Sequence, residues 1–387
     1  MIYFLELNKG KEAHSSLNYS MIKVLSVRER DITIFSSALH FEAIGLDSAD
    51  LAHVTFSPIH VIDGNWTSWF SKVIVEIVNT LKIFKRARRE RVNFIYISSL
   101  FPISHLFVRI IMLFFPMQHV IIGLHGEMEF LRSNKSRRLR FLGWFLKLSF
   151  LIPAPSNFRY LVFGSIIKRN IIISKFLPEE MLLSIDHPYD YRSQTADVNF
   201  FEHTINFGTI GIGSINKKTQ NLFLLADSFK EEVLSSKISF HLIGTMLSNL
   251  EPYINPYVNT NGTNNMLSKE DFDSQISALH YSLFFYDNDF YKLCASGAFF
   301  DSVKLSKPIL ALKNDFFVYY FERLGNIGYL FNDLEEMKAK IADIMQGHCD
   351  IDYEMQLSNL KNAKQRLSIP NIAHDFFSQL KDSSFCI

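Results

Sequence analysis

The feature that most constrains the fold is an alternation of short apolar runs with longer helical patterns along most of the chain. Runs such as Asp31–Ser36 and Val92–Ser98 are rich in β-branched and aromatic residues, which predicts buried strands. The stretches between them, such as Asn18–Arg28, carry apolar residues at helical spacing. This alternation is typical of βαβ units and favours an α/β fold with parallel sheets.

The alternation stops between Pro188 and Phe200 and then restarts, in a chain whose 387 residues exceed one ordinary core. We therefore expect two Rossmann-like α/β domains facing each other across a cleft, residues 1–190 and 200–370, with a C-terminal tail at 371–387. The expected strands are Met1–Leu7, Asp31–Ser36, His53–Phe56, Val92–Ser98, His119–Leu124, Arg159–Phe163, Ile171–Ser174, Thr204–Ile210, Ile238–Ile243, Tyr281–Tyr286 and Pro308–Leu312. The expected helices are Asn18–Arg28, Trp66–Phe84, Phe101–Phe115, Lys218–Lys230, Ser268–Leu279, Ser296–Leu305, Met337–Met345 and Tyr353–Arg366.

Composition excludes several classes of protein. The 40 Lys and Arg against 39 Asp and Glu give a net charge of +1, which argues against a nucleic-acid binder. Three scattered cysteines, Cys294, Cys349 and Cys386, are too few for a disulfide framework or a cysteine zinc site. The cysteine usage predicts a reducing, cytoplasmic compartment.

Neither a signal peptide nor a membrane span is expected. Met1–Leu7 is apolar, but Glu6 interrupts it and no basic region precedes it. The longest apolar stretch, Leu100–Gly123, contains Arg109 near its middle, which would cost roughly 2.5–3.5 kcal/mol in a bilayer. We expect a buried helix followed by a strand there.

Charge is unevenly distributed between the two halves. Residues 1–195 hold 24 Lys and Arg against 16 Asp and Glu, and the remaining residues hold 16 against 23. Basic residues beside an apolar, aromatic run suit an anionic membrane surface, where each contributes about 1 kcal/mol. We therefore expect the N-terminal domain to face the inner surface of the cytoplasmic membrane as a peripheral protein. The basic clusters are Lys82, Lys85, Arg86, Arg88, Arg89 and Arg91, and Arg132, Lys135, Arg137, Arg138 and Arg140 before Phe141–Phe150.

A glycine-rich loop follows the strand expected at Thr204–Ile210. It contains Gly211 and Gly213, and Lys217 and Lys218 precede the next helix. Glycines let a phosphate approach the backbone, and a helix N-terminus beside lysines favours negative charge. The pattern indicates a phosphate site.

A second pattern of this kind lies further along the chain. Ser296 and Gly297 are expected as the N-cap and first turn of a helix, where backbone N–H groups are free. Another strand ends at Gly244, and Asp287 and Tyr291 follow a third. Parallel strands bring such ends into one crevice, where α/β sheets bind nucleotides.

The glycine-rich loop, the strand that ends at Gly244 and the helix start at Ser296 and Gly297 follow one another along the chain. In this order they resemble the corresponding segments of glycosyltransferases of the GT-B fold, particularly bacterial surface-polysaccharide enzymes with a GT-4-like C-terminal domain. The resemblance covers residues 204–335 well and the first half only in general pattern. It implies that the C-terminal domain binds a nucleotide sugar and the N-terminal domain a glycan or lipid-linked acceptor, in capsule, O-antigen or other polysaccharide biosynthesis. The residues expected to contact the donor are Gly211, Gly213, Lys217, Lys218, Gly244, Asp287, Tyr291, Ser296, Gly297 and Asp301.

The chain departs from that family at one motif. Retaining GT-4-like members carry two glutamates separated by seven residues, before a Gly-x-Pro. Here the second position is Asp301, the first falls on Leu293, and Ser306 replaces the glycine. This favours an inverting transfer.

An inverting transfer needs a base that takes the proton from the acceptor hydroxyl. We expect Glu127 in this role, with His125 as its neighbour or alternative, because both directly follow the strand His119–Leu124. His14, in the loop after the first strand, is the third candidate.

Three alternatives remain open from the sequence. Asp287 and Asp289 spell a D-x-D, which could hold a divalent metal in a metal-dependent transferase, but GT-A enzymes carry this motif early, so we expect no metal or cofactor. Gly208, Gly211 and Gly213 could serve an NAD(P)-dependent oxidoreductase, although the spacing is not G-x-G-x-x-G. The third is a non-catalytic scaffold at the membrane.

Overall fold

The computed structural model describes residues 1–63, 68–132, 136–153, 155–191, 204–260, 267–288, 291–347, 350–382 and 385. The chain divides into two compact units. The first unit comprises Met1–Asp190, Leu293–Ala295 and Leu367–Ile387, and the second comprises Tyr191–Lys292 and Ser296–Arg366. Each unit is built on a parallel sheet, which confirms the predicted α/β class.

The first sheet has seven strands among the described residues, in the order β3-β2-β1-β4-β5-β6-β7. These are β1 (Ile2–Glu6), β2 (Ile32–Ser36), β3 (Val54–Pro58), β4 (Phe94–Ser99), β5 (Val120–Gly123), β6 (Phe158–Phe163) and β7 (Leu182–Ile185). All adjacent strands pair in parallel. The order reverses between β1 and β4, which makes the carboxyl ends of these two strands a switch point, where such sheets bind ligands.

Seven α-helices connect these strands in the described part of the first unit. They are α1 (Ser15–Ser26), α2 (Ala38–Ile44), α3 (Ser48–Leu51), α4 (Trp69–Glu90), α5 (Pro102–Met112), α6 (Arg137–Leu151) and α7 (Ser165–Ile173). The strand predicted at Ile171–Ser174 is wrong, because these residues end α7. Ile167 and Ile171, one helical turn apart, are both buried, so the helical period outweighs the β-propensity of the isoleucines.

The second sheet repeats this topology with six strands among the described residues, in the order β10-β9-β8-β11-β12-β13. The strands are β8 (Ile205–Ile210), β9 (Ile238–Ile243), β10 (Val258–Asn259), β11 (Tyr281–Phe284), β12 (Ile309–Leu312) and β13 (Gly328–Phe331). The helices are α8 (Gln220–Ser228), α9 (Lys230–Leu234), α10 (Lys269–Ser277), α11 (Gly297–Lys304), α12 (Asp315–Leu324), α13 (Leu334–Met345) and α14 (Asp350–Arg366). Its switch point lies between β8 and β11.

The last helix, α15 (Ile369–Asp382), belongs to the first unit. Its buried Phe376 and Leu380 share a core cluster with Phe94 of β4 and Phe4 of β1. Most of the segment expected as a tail therefore forms part of that core. The expected linker, residues 188–200, lies largely outside the described residues.

The apolar stretch Leu100–Gly123 forms α5 and then β5, as predicted. Arg109 is fully buried on α5, where its guanidinium donates to the Ile152 carbonyl and lies 4.6 Å from the Phe158 ring centroid. In the part of the chain that the structure describes, no helix is both long and apolar enough to cross a membrane.

Candidate functional site

The second unit shapes the glycine-rich loop after β8 through two close backbone contacts. Gly211 has φ +88°, a left-handed conformation that favours glycine. Gly244, at the end of β9, lies directly behind it, and a Cβ there would be 2.4 Å from the Gly211 carbonyl oxygen. Gly213 packs instead against Leu242 and Leu250. Gly244 and Gly213 therefore support the loop, while Gly211 faces the switch point.

The two lysines of this loop have different surroundings. Lys217 Nζ lies 5.8 and 5.9 Å from the ring centroids of Tyr286 and Tyr291, which stack on each other at 4.2 Å. Lys218 Nζ forms an ion pair with the carboxylate of Asp287, which follows β11. The predicted Lys217, Lys218, Asp287 and Tyr291 thus lie together at the β8–β11 switch point.

The N-terminus of α11 borders the same loop. Ser296 is the N-cap, accepting the Phe299 N–H at 3.3 Å, and its hydroxyl lies 3.1 Å from the Tyr286 hydroxyl. A Cβ at Gly211 would lie 3.9 Å from that of Ala298 in the first turn of this helix. A Cβ at Gly297 meets nothing within 4 Å, so space is open in front of the first turn. Free N–H groups and the helix dipole make such an end attractive to anions.

Asp301 and the D-x-D motif fit the predicted phosphate site less well. Asp301 lies in the second turn of α11, about 6 Å along the axis from Gly297. Of the D-x-D, Asp287 is paired with Lys218 and Asn288 exchanges hydrogen bonds with Asp315, while Asp289 lies outside the described residues. Among the described residues, no group of three or more His, Cys, Asp or Glu side chains could hold a metal ion.

A buried network of hydrogen bonds lies at the switch point of the first unit. The carboxylate of Glu6, at the end of β1, accepts the Asn8 N–H at 2.9 Å and the Ser99 hydroxyl at 2.6 Å. It also accepts Asn18 Nδ2–H at 2.9 Å, and this amide lies 2.8 Å from His40 Nε2. Since these three partners of Glu6 come from different segments, Glu6 fixes the loop that leads from β1 to α1.

His14 ends that loop and starts α1 in a left-handed conformation, with φ 68°. Its ring centroid lies 4.8 Å from that of His125. Its buried Nδ1 has no hydrogen-bond partner among the described residues. Burial, and next the nearby His125, lower the pKa of His14 well below its usual range. The imidazole is therefore neutral at physiological pH.

His125 and Glu127 follow β5, as predicted. His125 Nε2–H donates to the Ser98 carbonyl at 2.7 Å, so a neutral ring keeps Nδ1 as its acceptor. The Glu127 carboxylate accepts the backbone N–H of His125 at 2.8 Å and so closes its own turn. Gly123 permits this packing, because a Cβ there would be 2.7 Å from the Ser98 oxygen. The structure thus brings His14 and His125 together and gives Glu127 a local partner.

Helix α4 places two ionisable side chains beneath these loops. Glu76 is fully buried and accepts the Phe101 N–H at 3.1 Å, and Lys72 Nζ donates to the Asn8 carbonyl at 2.7 Å. Desolvation raises the pKa of Glu76 to about 8 and lowers the pKa of Lys72. The pair ties α4 to the loops after β1 and β4.

We expect Glu76→Gln to make the protein more stable than the wild type at pH 8, with the difference vanishing below pH 5. Between the ordinary pKa of glutamate and about 8, only the folded state keeps the Glu76 proton, so rising pH costs roughly 1.4 kcal/mol per unit. Glutamine retains the acceptor for the Phe101 N–H and removes this cost. Urea unfolding from pH 4.5 to 9 measures the difference. Parallel stability curves for the two proteins would contradict the raised pKa.

Four residues of these sites were not predicted from the sequence: Glu6, Asn18, His40 and Tyr286. For Glu6 a signal existed, since a carboxylate at the end of an apolar strand lies at the ligand-binding edge of a parallel sheet. For Asn18 and His40 there was none, because their contact joins α1 and α2 across 22 residues, which no local spacing pattern indicates.

No family model and no curated protein matches the chain. Among solved structures, HepE of Anabaena in complex with UDP-glucose is similar at 14% identity and a TM-score of 0.66, over 98% of this chain and 99% of that one. A trehalose-6-phosphate structure from E. coli bound with UDP-2-fluoro glucose is similar at 10% identity and a TM-score of 0.65, over 98% and 99%. A glycosyltransferase from Rickettsia africae is similar at 11% identity and a TM-score of 0.60, over 98% of both chains.

These likenesses extend over nearly the whole chain, at identities that carry information on fold alone. The chain has the GT-B fold. The predicted fold class is thereby confirmed. Within the GT-B fold, both switch points described above lie at the carboxyl ends of parallel strands, one in each unit. The GT-4-like polysaccharide type stays a prediction.

Proposed function

We propose that this protein is a glycosyltransferase that moves a sugar from a nucleoside-diphosphate donor to a glycan or lipid-linked acceptor. The observation that carries the proposal is the β8–β11 switch point, where the loop of Gly211, Lys217 and Lys218 adjoins the open N-terminus of α11. Lysines and free N–H groups neutralise the charge of a diphosphate. HepE and the E. coli protein, which share this fold, were solved with UDP-sugars.

Transfer also needs a base, and the first unit offers one. We assign this role to His14, with His125 beside it, in preference to Glu127. His14 carries a buried, unshared Nδ1 among the described residues, whereas Glu127 already accepts the His125 N–H. A base that deprotonates the acceptor for direct attack on the donor gives inversion at the anomeric carbon, so we propose an inverting mechanism.

We propose that the transfer does not require a metal. Lys217, Lys218 and the N-terminus of α11 can together offset the negative charge of the leaving diphosphate. Asp287, the first carboxylate of the D-x-D, is held by Lys218. Loss of transfer in EDTA, restored by Mg²⁺ or Mn²⁺, would contradict this part of the proposal.

Ligand-induced stabilisation tests the proposed donor class. A ligand that binds only the folded protein raises its melting temperature by mass action. We expect a shift with at least one of UDP, GDP and ADP, and a smaller shift in Lys218→Ala and in Ser296→Arg, which places a large side chain at the N-cap of α11. A shift with NAD alone would favour the oxidoreductase, and no shift with any nucleotide would favour the scaffold.

We further propose that the first unit binds an anionic membrane surface, which would place the enzyme on the inner face of the cytoplasmic membrane. Helix α5 packs against both α4 and α6, and large apolar side chains are exposed on all three and on the turn after α5. Phe70 is 63% exposed, Phe114 73% and Trp144 54%. The exposed Arg137 and Arg140 lie at the start of α6. This combination favours lipid-linked acceptors and a role in surface-polysaccharide synthesis.

We expect a variant with Arg137, Arg138 and Arg140 changed to Glu to bind anionic vesicles at least tenfold more weakly than the wild type. Each basic residue near such a surface contributes about 1 kcal/mol. Flotation with phosphatidylglycerol vesicles at two salt concentrations measures the change. The matched control reverses the exposed Lys237, Lys269 and Lys361 of the second unit. Equal loss in both triple variants, or binding that salt does not weaken, would contradict the assigned surface.

A further inference from the structure

A carboxylate lies at the point where the second unit is proposed to hold phosphates. Asp287 follows β11, Lys218 belongs to the loop after β8, and their ion pair spans the switch point between these strands. Lys218 has φ 54°, a left-handed conformation that lysine seldom adopts. The turn around Lys218 therefore directs its ammonium towards the Asp287 carboxylate, at a modest conformational cost.

The loop that carries Asp287 is fastened to a neighbouring helix. The next residue, Asn288, donates from Nδ2 to the Asp315 carboxylate at 2.9 Å and accepts the Asp315 N–H at 3.0 Å. Lys292 Nζ lies 3.7 Å from the other Asp315 oxygen. These contacts anchor the loop at the start of α12, so the Asp287 carboxylate is held opposite Lys218.

We infer that Asp287 competes with the diphosphate of the ligand for Lys218, and thereby lowers the affinity of the site for nucleotides. This inference rests on the proposed function. A diphosphate carries more charge than one carboxylate and brings several acceptor oxygens, so it can replace Asp287 at the ammonium. Binding of the diphosphate therefore breaks the ion pair between Lys218 and Asp287, and the loss of this pair lowers the affinity. Asp287 would then act on affinity, in contrast to the sequence prediction of a direct contact with the donor.

The test is a double-mutant cycle on nucleotide affinity. Isothermal titration with UDP, GDP and ADP is performed on the wild type, Asp287→Asn, Lys218→Gln and the double variant. We expect Asp287→Asn to bind the preferred nucleoside diphosphate about two- to fivefold more tightly, the range for a partly exposed ion pair. In the Lys218→Gln background the Asp287 substitution should change nothing, because the ammonium for which it competes is gone.

A matched control separates this effect from a change in net charge. Asp343→Asn on α13 removes the same charge, from an exposed pair with Lys340, and should leave nucleotide affinity unchanged. Weaker or unaltered binding in Asp287→Asn, or a gain that persists without Lys218, would overturn the inference while leaving the proposed function intact. Absence of binding in all variants, the wild type included, would overturn both.

Discussion

Gly297→Asp is expected to weaken nucleoside-diphosphate binding at least tenfold without lowering the melting temperature. Gly297 is the first residue of α11, and its added Cβ would meet nothing within 4 Å. An aspartate at a helix N-terminus stabilises the helix by about 0.3–1 kcal/mol, so the fold should persist. The same carboxylate would occupy and repel the anion that this terminus is proposed to bind. Titration with UDP, GDP and ADP, together with calorimetric unfolding, measures both effects.

Gly297→Ala is the matched control. It adds a methyl group to open space and restricts the unfolded chain, so stability should stay equal or rise. Nucleotide affinity should remain within about twofold, since the backbone N–H groups and the dipole are unchanged. If Gly297→Asp bound nucleotides as tightly as Gly297→Ala, the N-terminus of α11 would have no part in phosphate binding.

His14→Asn is expected to lower transfer by about 10²–10⁴-fold while leaving donor affinity unchanged. Asparagine tolerates the left-handed backbone that His14 adopts, so the variant should keep the loop and lose only the imidazole. Release of the nucleoside diphosphate and glycosylation of the acceptor, measured at saturating donor, give the turnover. Titration with the nucleotide alone gives the affinity, which depends on the other unit.

Two further variants, Glu127→Gln and His125→Gln, are compared with His14→Asn in the same turnover measurement. Glutamine at position 127 still accepts the His125 N–H, so we expect at most a modest loss of turnover. Glutamine at position 125 removes the ring beside His14 and should give an intermediate loss. A large loss in Glu127→Gln with normal turnover in His14→Asn would return the base to Glu127, as the sequence alone had suggested.

The sheets could be predicted from sequence because their strands are apolar and bounded by turns. Ile238–Ile243 was predicted with its correct bounds, and the order of strands and helices identified the fold class. Three strands, β7, β10 and β13, were missed, and so were several helices, among them α2, α7, α12 and α15. β7 is short, and α15 lies in a segment whose apolar residues are buried only by contact with strands far away in sequence.

The candidate site was predictable where chemistry follows from local sequence. The glycines after β8 and the Ser-Gly pair at a helix start indicate the local backbone geometry by themselves. The structure brings these two segments together. Other features depend on tertiary contacts. The ring pair of His14 and His125, and the support of Gly211 by Gly244, join segments that no local pattern connects. Gly244 supports Gly211 from behind, and its predicted contact with the donor stays a prediction.

The central claim is that the second unit holds a nucleoside diphosphate at its β8–β11 switch point. A crystal structure determined with the nucleotide that gives the largest thermal shift tests this most directly. We predict diphosphate density between the loop of Gly211 and Lys218 and the backbone N–H groups at the start of α11. Density for the nucleotide at another place, with this crevice holding none, would contradict the account.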